Sequence, residues 1–180
     1  MLKPSDTWKW YFDETTESLM LDLGNDMVFK TNIPHKMLVD CAKRDSDFCV
    51  DDASSYQTFK ETISFLGLSE PRQAELALYC VAAKRFHKPV QPKSWFFDAQ
   101  GQEYKPEEGD IVRLVNQHSL GYFIVLEAGE SASLCTYVDL DEFHLSGSKS
   151  LAFGDSIKVM HDRLACANHI LQSQPIALVG

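Results

Sequence analysis

The first thirty residues constrain the fold most. Trp8-Lys9-Trp10-Tyr11-Phe12-Asp13 interleaves bulky apolar side chains with charge. Leu19-Met20-Leu21-Asp22-Leu23 continues the pattern, and Met27-Val28-Phe29-Lys30 repeats it after Gly24-Asn25-Asp26. Period-two alternation places successive side chains on opposite faces of a strand. Broken by acidic, glycine and asparagine clusters, it predicts a meander of three antiparallel strands. Two tryptophans on one strand face need a core to cover them or a partner to dock on them. Trp8, Trp10 and Phe12 are assigned to the core.

Helical signals follow. Ile33-Pro34-His35-Lys36-Met37-Leu38 predicts a short helical turn, and Phe48-Cys49-Val50 a short extended piece. Asp51 and Asp52 stand where N-caps belong, ahead of an apolar stripe at Ala53, Tyr56, Phe59, Ile63 and Leu66, with Gly67 as the residue that ends the helix. Ser69-Glu70-Pro71 opens a second helix with a capping hydroxyl, an acid and a proline. Ala74 to Ala83 is apolar nearly all round, so this helix is expected to be buried on most sides. Pro89 stops it.

Lys88-Pro89-Val90-Gln91-Pro92-Lys93 has the composition of a stiff extended linker. Beyond it, Ile111–Val115, Tyr122–Glu127, Ser133–Val138, Leu151–Phe153 and Ser156–Met160 are expected as strands. Turns are expected at Gly109-Asp110, Ser119-Leu120-Gly121 and Gly129-Glu130-Ser131. The tail from Gln172 to Gly180 is polar and then apolar, an added edge strand or a frayed end. The expected class is α+β: an N-terminal unit over residues 1–93, an antiparallel meander packed by helices, and a small antiparallel barrel-like unit over residues 94–180.

Charge narrows the partners. The net charge is −9, which argues against a generic nucleic-acid binder. Residues 1–93 carry 12 Lys and Arg against 14 Asp and Glu; residues 94–180 carry 5 against 12. Within that acidic chain Lys84, Arg85, His87, Lys88 and Lys93 fall in ten positions without an acid. Cations in the last turn of a helix favour its dipole, which accounts for Lys84 and Arg85 but not for Lys93 beyond two prolines. No apolar run is long enough to span a bilayer and Met1–Asp6 shows no signal-peptide core, so a cytoplasmic protein without a membrane partner is expected. The five cysteines (Cys41, Cys49, Cys80, Cys135, Cys166) lack paired or zinc-site spacing, so free and mostly buried thiols are expected.

Chemical motifs are absent. There is no GxxxxGK[ST], GxGxxG or GxSxG. His161-Asp162-Arg163 puts a histidine beside an aspartate, but sequence neighbours point apart and do not form a dyad. His169 has no carboxylate at metal-ligand spacing, and N-capping explains Asp51-Asp52 without a metal. No catalytic residue, metal or cofactor is expected.

The meander, Phe48-Cys49-Val50-Asp51-Asp52, Lys88-Pro89, Pro92-Lys93-Ser94-Trp95 and Gly154-Asp155-Ser156-Ile157-Lys158-Val159-Met160 together resemble the ZapC family of Z-ring-associated cell-division proteins, most closely over residues 4–93 and least from about 99 to 150. The resemblance implies a non-enzymatic cytoplasmic protein, recruited to the mid-cell septum. It would bind polymerised FtsZ, promote lateral bundling of its filaments, stabilise the Z-ring and restrain GTP hydrolysis. It also implies a contact made of an apolar part at Leu21 and a basic part at Lys88 and Lys93; Arg85, in the same basic cluster, and Trp95, next to Lys93, are taken as candidate partner-binding residues beside them. A monomer crosslinks filaments only if it carries two contact surfaces. The alternative is a small-molecule enzyme with a site between the two units.

Overall fold

The meander forms where alternation places it: β1 (Lys9–Asp13), β2 (Ser18–Gly24) and β3 (Met27–Lys30). The computed structural model describes residues 2–101 and 104–172. Of the tail expected as an edge strand or frayed end, everything after Gln172 lies outside the described residues. Trp10 pairs with Leu21, and Leu21 with Phe29, across the ladders. The β2–β3 turn takes left-handed φ at Gly24, Asn25 and Asp26, residue types that tolerate that region. A two-residue strand, β4 (Ser46–Asp47), pairs with Lys9 and Trp10 and completes the order β3-β2-β1-β4.

The expected extended piece at Phe48-Cys49-Val50 thus lies two residues earlier. Phe48 instead turns into the tryptophans, 5.2 Å from the Trp8 ring and 5.8 Å from that of Trp10. Val50 already begins helix α1 (Val50–Ile63). Its N-cap is Cys49 rather than Asp51 or Asp52. Asp52 sits in the first turn and reaches back, accepting from the Cys49 N–H at 3.1 Å. Tyr56, Phe59 and Ile63 are buried as the stripe requires. The helix ends at Ile63, short of Leu66. Gly67 takes φ +77° after one further turn. Helix α2 (Glu70–Phe86) is capped by Ser69, whose Oγ accepts from Arg72 N–H, and it is buried along much of its length as expected.

In the second half β5 (Ile111–Val115), β6 (Leu120–Ala128), β7 (Ala132–Tyr137), β10 (Ser156–Met160) and β11 (Ala165–Cys166) form one antiparallel sheet, ordered β10-β7-β6-β5-β11. A separate hairpin pairs β8 (Phe143–His144) with β9 (Ser150–Leu151), and a short helix, α3 (His169–Gln172), closes the described chain. A closed barrel is not found among the described residues: β10 and β11 are the two edges of an open sheet, and β11 is only two residues long. The turn expected at Ser119-Leu120-Gly121 is displaced, because Leu120 and Gly121 already belong to β6. Gly121 is a packing glycine. A Cβ there would lie 2.7 Å from the rings of Phe143 and Tyr137. The reversal is made instead by Asn116, whose Oδ1 accepts from the N–H groups of His118 and Ser119.

Two cores result. The first joins Trp8, Trp10, Leu19 and Leu21 to the inner faces of α1 and α2 and to Ile111, Ile124, Leu126, Leu134 and Val138 of the second half. The second lies on the other face of the large sheet and draws only on residues from Phe97 onward, including Phe123, Val125 and Tyr137. Strand β6 alternates between them: Phe123 and Val125 face one core, Ile124 and Leu126 the other. This is why its run is apolar without a polar face.

The thiols are free, but Cys41, Cys49 and Cys166 are exposed; only Cys80 and Cys135 are buried, against the expectation of mostly buried thiols. Desolvation pushes the Cys135 thiol up to about 12 and Cys80 higher still. No described helix is long and apolar enough to cross a membrane.

Candidate functional site

The linker is not free. The Lys88 N–H donates to Met37 O at 2.8 Å, and the Lys93 N–H donates to Lys158 O on β10 at 2.8 Å. Ser94 is held as well: its Oγ accepts from Met160 N–H at 2.9 Å, and its carbonyl accepts from Arg163 Nε at 3.2 Å. The segment is therefore strapped across the seam between the halves, with Lys88 and Lys93 exposed on it.

Beneath the strap lies a groove. Met37 from the first half and Phe96, Leu145 and Leu151 from the second form an apolar floor. Lys93, Lys149 and Lys158 stand on its rim, Lys36 lines its continuation and Lys88 its other end. Glu127 and Asp155 are acids at the margins. Lys149 lies over the Phe96 ring with Nζ 5.9 Å from the centroid, a cation–π distance. Lys149 and Lys158 are two of only five cations in residues 94–180, both drawn to this groove. A lysine-rimmed apolar floor suits a partner surface with exposed carboxylates around an apolar contact.

The residues expected at the contact separate. Lys88 and Lys93 are on this surface. Trp95 is 70 % exposed, its ring centroid 5.5 Å from that of Phe96, and stands next to the groove. Leu21 is not on the surface: it has no exposed area and belongs to the first core. Arg85 is turned aside. Its guanidinium is 2.5 Å from Asp52 Oδ2, donates to Asp47 O at 2.9 Å and lies over Phe86. Asp52 also accepts from Trp10 Nε1 at 3.0 Å. Arg85 thus fixes the start of α1 and the tryptophan beneath it. Sequence reasoning passed over Lys36, Lys149 and Lys158. For Lys158 a signal existed: Ile157 and Val159 flank it in β10, so alternation turns the lysine outward.

The histidine motif is no dyad of neighbours. His161 Nε2 pairs with Ser133 Oγ at 2.8 Å, both buried, while Asp162 faces Arg163 at 3.7 Å. Among the described residues no cluster of three or more His, Cys, Asp or Glu could hold a metal ion.

With this arrangement in view, comparison with known proteins is decisive. Family models of the N-terminal and C-terminal regions of the cell-division protein ZapC match residues 1–88 and 89–169. The chain belongs to the ZapC family. Cell division protein ZapC of Vibrio vulnificus (strain CMCP6) is 61% identical over 180 residues, covering all of both chains. The ZapC of Vibrio cholerae serotype O1 is 59% identical and that of Aliivibrio salmonicida 57%, again over the full length of both chains. The two ZapC models meet between residues 88 and 89, where the strap begins. The lysine-rimmed groove of this ZapC family member is therefore built from both matched regions.

Proposed function

We propose that this chain is a non-enzymatic regulator that binds polymerised FtsZ directly, promotes lateral bundling of its filaments, stabilises the Z-ring and lowers GTP hydrolysis, acting as a cytoplasmic monomer at the mid-cell septum. The observation that supports it is the convergence of exposed Lys88 and Lys93 with Lys149 and Lys158 around an apolar floor, on a ZapC-family chain that is otherwise acidic. Lysines on the rim steer an acidic surface into the encounter; the floor supplies the apolar area that holds it. Leu21 is buried in the first core rather than on this surface, and Arg85 is held by Asp52 at the start of α1.

One exposed ion pair contributes only about 0.2–1 kcal/mol, so a single Lys→Ala change is nearly silent. Lys88→Glu/Lys93→Glu replaces attraction by repulsion at two points. It is expected to melt like wild type and to lose most co-sedimentation with FtsZ polymers at low salt. Normal pelleting by the folded double variant would remove the basic strap from the interface.

A further inference from the structure

A second groove opens at the other end of α2. It is lined by the turn after α1 (Phe65 to Leu68), the start of β6 and the loop after β7, and its volume is ≈ 490 Å³. Phe65, Leu120 and Leu140 converge on it, 41 %, 55 % and 58 % exposed; among the described residues they are three of seven large apolar side chains left so open. Asp139, Asp141 and Glu142 line the same groove. Asp139 accepts from Tyr122 N–H at 3.0 Å, which ties its loop to β6. Asp141 and Glu142 are exposed, and among the described residues neither has an ion-pair partner.

The two grooves have opposite character. One follows the C-terminal end of α2 at His87 and is ringed by lysine; the other precedes its N-terminal end at Leu68 and is ringed by carboxylate. Seventeen helical residues separate them, about 25 Å at 1.5 Å per residue. One bound partner domain could reach both only by wrapping the length of the helix. Two separate partner surfaces reach them without conflict.

We propose that the groove at Phe65, Leu120 and Leu140 is a second protein-docking surface, for a segment that presents an apolar side chain beside Lys or Arg, and that it supplies the second grip by which the molecule joins filaments. Exposed apolar area of this kind, rimmed by one sign of charge, marks an interaction site. The uncompensated carboxylates select the sign of the occupant, because a like-charged neighbour is repelled and an apolar one leaves them unpaired. This rests on the FtsZ-binding reading, which leaves open how a monomer crosslinks. A chain with one contact coats a filament; a chain with two unlike contacts at opposite ends of a rigid helix bridges.

The test separates binding from bridging. FtsZ polymers are spun at high speed, which pellets single filaments with whatever is bound, and at low speed, which pellets bundles. Asp141→Lys/Glu142→Lys and, separately, Leu120→Ser/Leu140→Ser are compared with wild type, each with a melting curve. The expected result is normal high-speed pelleting of both variants and a low-speed pellet reduced about fivefold or more. Full bundling by both folded variants overturns the proposal. So does loss of high-speed pelleting, which would make the groove part of the first contact. Absence of wild-type pelleting removes the FtsZ reading and the second grip with it. A chain ending at Gln172 tests the rival occupant. If hydrogen exchange at residues 119–122 accelerates on that deletion with no partner present, the chain covers the groove itself and the proposal falls.

Discussion

The two halves share a wall but do not depend on it equally. The second core is made wholly of residues from Phe97 onward, so the C-terminal half carries an interior of its own. The first core is not self-contained: Ile111, Ile124, Leu126, Leu134 and Val138 close it from the other half. The difference originates in β6 and β7. Their runs are buried on both faces, as in a sheet covered on both sides, whereas the meander buries one face only. The N-terminal helices are thus a middle layer between two sheets. We propose that the chain divides at 93/94 into two units of which the second stands alone and the first leans on it.

The largest effect that could break this comparison comes from cutting the chain there. Five buried side chains at about 1.5–3 kcal/mol each amount to roughly 10 kcal/mol, comparable with the ~5–15 kcal/mol stability of a whole domain. Residues 1–93 expressed alone are expected to keep helical circular dichroism but to melt without cooperativity and to bind an apolar dye. Residues 94–180 are expected to melt cooperatively at a lowered temperature. A sharp transition for 1–93 and none for 94–180 would reverse the dependence.

This asymmetry was only partly legible in the sequence. The meander, both long helices, the Ser69 cap and the exact span of β10 follow from alternation, stripe spacing and punctuation, all local signals. The long apolar run of β6 announced a strand but not that it serves two cores, because that depends on what packs on each side. The Gly121 misreading has the same origin: glycine signals a turn locally, while here it admits the Phe143 and Tyr137 rings, which lie 22 and 16 residues away in sequence. The candidate site behaves likewise. Lys88 and Lys93 stand out as a cluster along the chain; Lys158 joins them through the strap's hydrogen bond to β10, and Lys149 through the turn between β8 and β9 that lines the same groove. Leu21 was indistinguishable from a surface residue by pattern, since alternation gives two faces and not which one is covered.

The seam itself is sharpened by Gly154. Its φ is +87°, and a Cβ there would lie 2.5 Å from the Tyr79 ring of α2. Its carbonyl accepts from Asn32 Nδ2 at 2.7 Å, so the residue ties both the meander side and α2 to the second half. Gly154→Ala combines an unfavourable backbone with overpacking against an aromatic ring, for a loss of about 2 kcal/mol or more. In a chain of this size that is a drop of roughly 4–8 °C in melting temperature. Gly147→Ala, which meets nothing within 4 Å, is the control and is expected to change little. If the seam governs the N-terminal half more than the other, amide exchange in Gly154→Ala protein accelerates in α1 and α2 before it does in β5 to β7. Equal acceleration throughout would show one indivisible unit.

The smallest effect distinguishes carboxylates at the two grooves. Burial raises both Asp155, beside the lysine-rimmed groove, and Asp139, in the acidic one, above their ordinary value of 3.8; a backbone N–H pulls each back, and Asp141 pushes Asp139 further up. A carboxyl whose folded pKa is raised binds its proton more tightly in the native state than in the unfolded chain. Each group therefore costs stability above its folded pKa, and that cost is relieved as pH falls through the folded value towards 3.8. Of the two aspartates only Asp139 feels Asp141, and Asp141→Asn removes that charge. In a carbon-detected titration the Asp139 carboxyl midpoint is expected to move down while that of Asp155 stays, and the acid-side gain in stability shrinks accordingly. Added salt acts in the same direction on Asp139, by screening Asp141. Midpoints of both aspartates moving together would mean that the two ends of α2 are not electrostatically separate, and a bridge with two independent grips would lose its physical basis.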